Sequence, residues 1–252
     1  MRRKLFCLTM FAIFTSTILI STYMTAAAPA KGSGRILEKK TFIHFKRGRA
    51  KPDNPGKPGG GKKEDEGYYT YIAKGLRWKT TEPFVYNPNN TQGLTVDFIK
   101  DSLLAGMEEW EMYGGEIFGE LSADGTAVYD PDETDDKNTF TFGIYEGPYS
   151  GVIAVTSVWG YFNAPPPYRE IVEVDVLFNV EDIVWGEVDD DNPDLMDVLN
   201  IATHEIGHCA GMGDLYLTDA IKETMYGYSG EGDTEKRDLY KGDIAGIENL
   251  YK

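Results

Sequence analysis

The sequence predicts an α/β (α+β) domain, a twisted mixed sheet carrying helices, with one helix bearing the chemistry and another closing the C-terminus. Three observations predict it. Apolar residues recur at helical spacing over 95–112, at Ile99, Leu103, Gly106, Met107 and Trp110. Residues 171–180 alternate, with Val172, Val174, Val176 and Phe178 on one face and Glu173, Asp175 and Asn179 on the other. Asn192-Pro193 offers an N-cap followed by proline at the first helical position, and Gly211 offers a C-terminal stop.

The elements follow in order. Arg2-Arg3-Lys4, the apolar run from Leu5 to Ile20 and Ala26-Ala27-Ala28 read as a secretory signal peptide over 1–28; an uncleaved membrane anchor is the alternative. Residues 29–67 form a basic Pro/Gly-rich linker or pro-segment, and little of it can bury a core. Thr41-Phe-Ile-His-Phe breaks it as a possible short strand, and Lys46-Arg47 and Lys62-Lys63 are candidate processing sites. The globular domain runs over 68–252. After the helix at 95–112 come acidic turns near Asp124-Gly125 and Asp130-Pro131-Asp132. Strands follow at Thr139–Tyr145, at Gly151–Trp159 and over 171–180, the last of them half-buried. A helix runs from Asn192-Pro193 to about Ala210. A last helix over about 238–251 places Ile244, Ile247, Leu250 and Tyr251 on one side.

The 252 residues, 41% hydrophobic and 26% charged, allow one ordinary domain plus appendages. Net charge is −16, unevenly spread. Residues 31–63 hold eleven basic and two acidic side chains, whereas 64–252 hold eleven basic and thirty-nine acidic ones. A body that acidic repels nucleic acid and anionic lipid, which excludes a nucleic-acid partner for it. The opposite signs also allow the basic segment to dock on the acidic body. With Cys7 in the leader, Cys209 stands alone as a small core residue.

The chemistry concentrates in His204-Glu205-Ile206-Gly207-His208. On a helix, positions i and i+4 lie one turn apart, ~6 Å between β-carbons, so both imidazoles can bind one divalent ion. Glu205 stands beside the first of them, within reach of a water at the metal. Two of the chain's three histidines fall in this pentapeptide. Gly211 lies three residues beyond His208 and Asp214 six, with Glu223-Thr-Met225-Tyr-Gly-Tyr228 further on.

On these residues the chain resembles the metzincin zinc metalloproteases, with a matrixin-like catalytic domain over about 68–252 and, at Asp214, a snapalysin-type aspartate in place of the usual third histidine. The resemblance implies the metzincin-like zincin fold and a Zn2+ held by His204, His208 and Asp214. It also implies Glu205 as general base, Met225 as an apolar floor beneath the metal, and Tyr228, or else Tyr226, as stabiliser of the oxyanion. Glu223 is the rival third ligand, and packing aromatics are the plain alternative for the tyrosines. A protein or peptide substrate would pair as an added strand with an edge strand at Gly151–Thr156. A matrixin-type cysteine latch is absent from 29–67; His44, or docking of the basic segment, could replace it. Asp189-Asp190-Asp191 and the Asp130–Asp136 loop are candidate Ca2+ sites. The function implied is a secreted, extracellular zinc endopeptidase acting as a monomer, the alternative being an exported, inactive metzincin-like binding or surface protein. An uncleaved leader is the one route to a stable membrane partner.

Overall fold

A computed structural model describes residues 35–48 and 67–252. The leader at 1–28, most of the Pro/Gly-rich stretch and Lys62-Lys63 lie outside the described residues. The strands are β1 (Glu38–Lys46), β2 (Glu82–Tyr86), β3 (Phe118–Ala123), β4 (Asn138–Gly143), β5 (Val152–Gly160), β6 (Ile171–Asn179), β7 (Trp185–Gly186), β8 (Met196–Asp197) and β9 (Tyr228–Ser229). The helices are α1 (Val96–Gly114), α2 (Val198–Cys209) and α3 (Lys241–Tyr251). Seven strands form one sheet in the order β3-β2-β4-β6-β5-β1-β9, and β7 pairs with β8 apart from it. The pairs β2/β3, β2/β4, β4/β6 and β1/β9 are parallel, while β5/β6 and β1/β5 are antiparallel, so the sheet is mixed as expected.

α1 begins where Thr95 Oγ1 accepts from the Phe98 N–H at 3.2 Å, satisfying one of the first-turn donors. It buries Ile99, Leu103, Gly106, Met107 and Trp110, the face its spacing predicts. The indole N–H of Trp110 donates to Thr203 O at 2.8 Å, which ties α1 to α2 across a buried contact. In α3, Ile247 and Leu250 are buried, with Ile244 and Tyr251 packed half-buried beside them.

Four expectations change. α2 starts at Val198 rather than near Pro193, because Asp197 Oδ1 accepts from the Asn200 N–H at 2.8 Å and caps the helix. Asn192 is occupied in a turn instead, its backbone N–H donating to Asp189 Oδ1 at 2.7 Å. Second, β6 is buried on both faces, not one, except at Val172, which was expected inside with Val174 and is exposed. The loop over 127–136 covers its far side, and the backbone N–H groups of Asp135 and Asp136 donate to the Glu173 carboxylate at 3.1 and 2.7 Å. Third, the short strand expected at Thr41–Phe45 is longer, a nine-residue strand Glu38–Lys46 inside the sheet. Fourth, β5 is therefore not an edge: β1 pairs along it from Glu38↔Gly160 to Phe45↔Val152. Phe42 and Phe45 give this strand apolar side chains to bury, which its lysines obscure in the sequence.

Candidate metal centre and active site

α2 carries His204, Glu205 and His208, all at most 1% exposed. Glycine at 207 is required by packing. A β-carbon there would lie 2.3 Å from Met225 Sδ and 2.6 Å from Trp110 Cζ2, so Met225 fits against α2 only because position 207 has no side chain. After Cys209 the chain must reverse. Gly211 supplies the turn with φ +102°, a conformation costly for residues with a β-carbon. The returning loop is pinned by Gly213 N–H to Thr70 O at 2.9 Å and by Leu215 N–H to Met225 O at 2.8 Å. Asp214 stands between these anchors and faces α2.

Three ligand atoms converge there. His204 Nε2 lies 3.2 Å and His208 Nε2 3.3 Å from Asp214 Oδ1. Each ring's Nδ1 faces a carbonyl, Thr224 O at 2.7 Å for His204 and Met212 O at 3.0 Å for His208. A carbonyl can only accept, so both Nδ1 atoms donate, and in the neutral imidazoles both Nε2 atoms present lone pairs to a carboxylate oxygen. His204 Nε2 and Asp214 Oδ1 are buried without any hydrogen-bond partner. Three acceptors this close together suit a shared cation. Ligands at zinc distances of about 2.0–2.1 Å in tetrahedral array stand about 3.3 Å apart, and the observed separations match that. The residues therefore fit a zinc ion. The protonation tendencies carry the same strain: burial, with Lys236 adding to it, lowers His204 to about 3, while for His208 burial also pulls down but the charge and hydrogen bond of Asp214, with the charge of Glu205 and the Met212 carbonyl, together raise it. Asp214 is held low despite burial by the two imidazoles.

Glu205 adjoins this group. Burial pushes its carboxyl up to about 7. Oε2 accepts from Thr156 Oγ1 at 2.6 Å, and Oε1 stands 3.0 Å from His44 Nδ1. Met225 is fully buried against α2 at Gly207. Glu223 turns elsewhere: it accepts from the Tyr68 and Gly242 N–H groups at 3.1 and 2.8 Å and is no member of the three-atom group. Tyr228 sits in β9, its ring 5.4 Å from that of Tyr216 and 5.7 Å from that of Tyr226. No hydrogen bond joins Tyr228 to Glu205 or to the three ligands.

Three neighbours went unread in the sequence. Tyr216 donates from its hydroxyl to Asp214 Oδ2 at 3.0 Å. Thr156 orients the base from β5. Lys236 is buried, its ammonium 3.1 Å from His44 Nε2 and donating to Tyr226 O. Tyr216 alone had a local signal, two residues from Asp214; the others arrive through folding. His44 completes the cluster, its ring centroid 4.0 Å from that of His204, while the Phe42 ring stacks on His208 at 4.2 Å. Of the acidic stretches, neither Asp130–Asp136 nor Asp189–Asp191 gathers three side-chain ligands among the described residues. Asp130 and Asp189 instead accept backbone N–H groups of their own turns.

This geometry, two histidines one helical turn apart with a carboxylate brought back to them, fits a zincin-type metal centre on an α/β sheet. The matrixin family model matches residues 112–252, more than half of the chain, and the chain belongs to the matrixin family, a family of zinc metalloproteases. A search of curated proteins finds no match.

Proposed function

We propose that the protein is a secreted zinc endopeptidase whose metal is held by His204, His208 and Asp214, with Glu205 as general base. The observation that carries this reading is the convergence of two imidazole lone pairs and one carboxylate oxygen beside a buried glutamate. Bound zinc supplies Lewis acidity, which polarises a carbonyl and makes water acidic enough to be deprotonated near neutral pH. Glu205 takes the proton of the attacking water on a carboxylate oxygen and passes it to the leaving amine. Thr156 fixes the rotamer of that carboxylate, and the Nδ1 bonds to Thr224 O and Met212 O fix the imidazoles. The anionic third ligand makes the ion a weaker Lewis acid than three imidazoles would, which favours a neutral to mildly alkaline optimum. Tyr228 is the proposed oxyanion donor; its ring lies one aromatic contact from Tyr216, the partner of Asp214. The leader-like sequence at 1–28 supports export. Among the described residues no helix is long and apolar enough to cross a membrane.

The test is Glu205→Gln in the full chain. Casein or quenched-peptide cleavage should fall at least ~100-fold while one zinc per chain remains bound. Undiminished cleavage would remove Glu205 from the role of base, and a purified wild-type chain that binds no zinc would remove the whole reading.

A further inference from the structure

The groups that would do this chemistry are closed to solvent. His204 and Glu205 are 0% exposed, His208 1% and Asp214 8%. A peptide cannot reach them in this arrangement. What covers them is the chain's own β1. This strand runs antiparallel along β5, with Thr41↔Ser157, Phe42↔Thr156 and His44↔Ala154 in register, the ladder that an extended peptide would make with β5. Phe42 and His44, two positions apart, point from the same face of the strand into the metal centre. Phe42 lies flat on one candidate ligand ring and His44 lies against the other. The Nδ1 of His44 engages the Glu205 oxygen that Thr156 leaves free, so both oxygens of the base are occupied.

We propose, resting on the peptidase reading above, that Glu38–Lys46 is a resident substrate mimic, and that it holds the protein latent by filling the peptide-binding edge of its own active site until the strand is released. The grip is suited to release. Ion pairs flank the strand, each joining a cation of the basic segment to an anion of the body: Arg35–Glu170 at 3.1 Å, Lys39–Asp132 at 3.8 Å, Lys46–Glu231 at 2.6 Å and Arg47–Asp233 at 2.6 Å. All four are partly exposed, so each holds weakly and is screened by salt. Beyond β5, the strand's sheet neighbour is the two-residue β9. Latency here works without a cysteine, through a ladder, two rings on two imidazoles and a cap on the base.

The test uses the full zinc-loaded chain with a specific protease recognition sequence in place of residues 55–61. The intact chain is compared with the same chain after the cut and separation from the fragment carrying residues 35–48. Quenched-peptide cleavage should rise at least tenfold on separation. A synthetic peptide of residues 35–48 should restore inhibition competitively. The same peptide carrying Phe42→Ala and His44→Ala should inhibit at least tenfold more weakly. Amide exchange over 152–160 should be slow in the intact chain and fast after separation. Equal activity in both forms overturns the latency while leaving the peptidase reading intact. Loss of zinc and cooperative unfolding on separation also overturns it, because β1 would then be a permanent part of the fold. If neither form cleaves peptide with zinc bound, the peptidase reading fails on its own. Amide exchange then decides the strand's role: faster exchange on separation supports a releasable occupant, and unchanged exchange overturns it.

Discussion

Tyr216 shows how far the candidate metal centre reaches beyond its three ligands. Its hydroxyl donates to Asp214 Oδ2, leaving Oδ1 to face the imidazoles. Groups in this position orient the ligand, and their loss commonly costs 10–100-fold in metal affinity. Tyr216→Phe should therefore weaken zinc binding by about tenfold or more in competition with a chromogenic chelator, with the far-ultraviolet circular dichroism unchanged. His204, Glu205 and His208 were legible in the sequence because one turn of a single helix brings them together, and Asp214 because a glycine reversal six residues later suffices. His44 was legible only as a candidate latch, not as a partner of Glu205, and Lys236 not at all. Residue 44 meets Glu205 across 161 positions and Lys236 across 192, distances at which local spacing carries no information.

The elements divide in the same way. α1 and α3 were readable because one face of each is apolar at helical period. β6 was read correctly as a strand but not for its second face, since the cover over Glu173 and Asp175 comes from a distant loop. That cover has a measurable consequence. Burial chiefly raises Asp175 to about 7, against the hydrogen bond from Thr139 Oγ1 at 2.5 Å. An acid whose folded pKa is raised is disfavoured once the unfolded chain ionises. Stability should therefore fall as pH rises from about 4 to about 7 and level off above, by at most about 1.4 kcal/mol per pH unit. Asp175→Asn should remove this slope, so that its advantage over wild type in urea melts grows across that window and then stays constant. The α2 packing gives a sharper test. Gly207→Ala places a methyl group against the rigid Trp110 ring and the Met225 sulfur, and should destabilise by about 1–3 kcal/mol, seen as a lower urea midpoint.

Over the whole molecule, charge organises what hydrophobicity builds. The basic N-terminal segment and the acidic body were readable as opposite signs, but composition could not say that the segment would lie along β5 and across the metal centre. Because exposed pairs at both ends of β1 join the two, raising ionic strength from about 0.1 M to about 1 M, where the screening length falls to about 3 Å, should loosen the strand. Peptide cleavage by the intact chain should accelerate several-fold over that range, and cleavage by the chain freed of β1 should not. Body residues that hold β1 act on its release and leave the chemistry untouched, so Glu231→Lys should raise resting turnover with no effect once the segment is gone.

β5 has all nine of its residues buried, and it lies between two antiparallel neighbours. Stripped of one neighbour, it would present a long edge of unpaired N–H and C=O groups bordered by apolar side chains, the kind of surface on which like molecules template one another. Awakening the protein thus also makes it sticky. Its working lifetime should shorten as it becomes more concentrated, with light scattering rising in step, so that crowding sets a ceiling on how much of it can be awake at once.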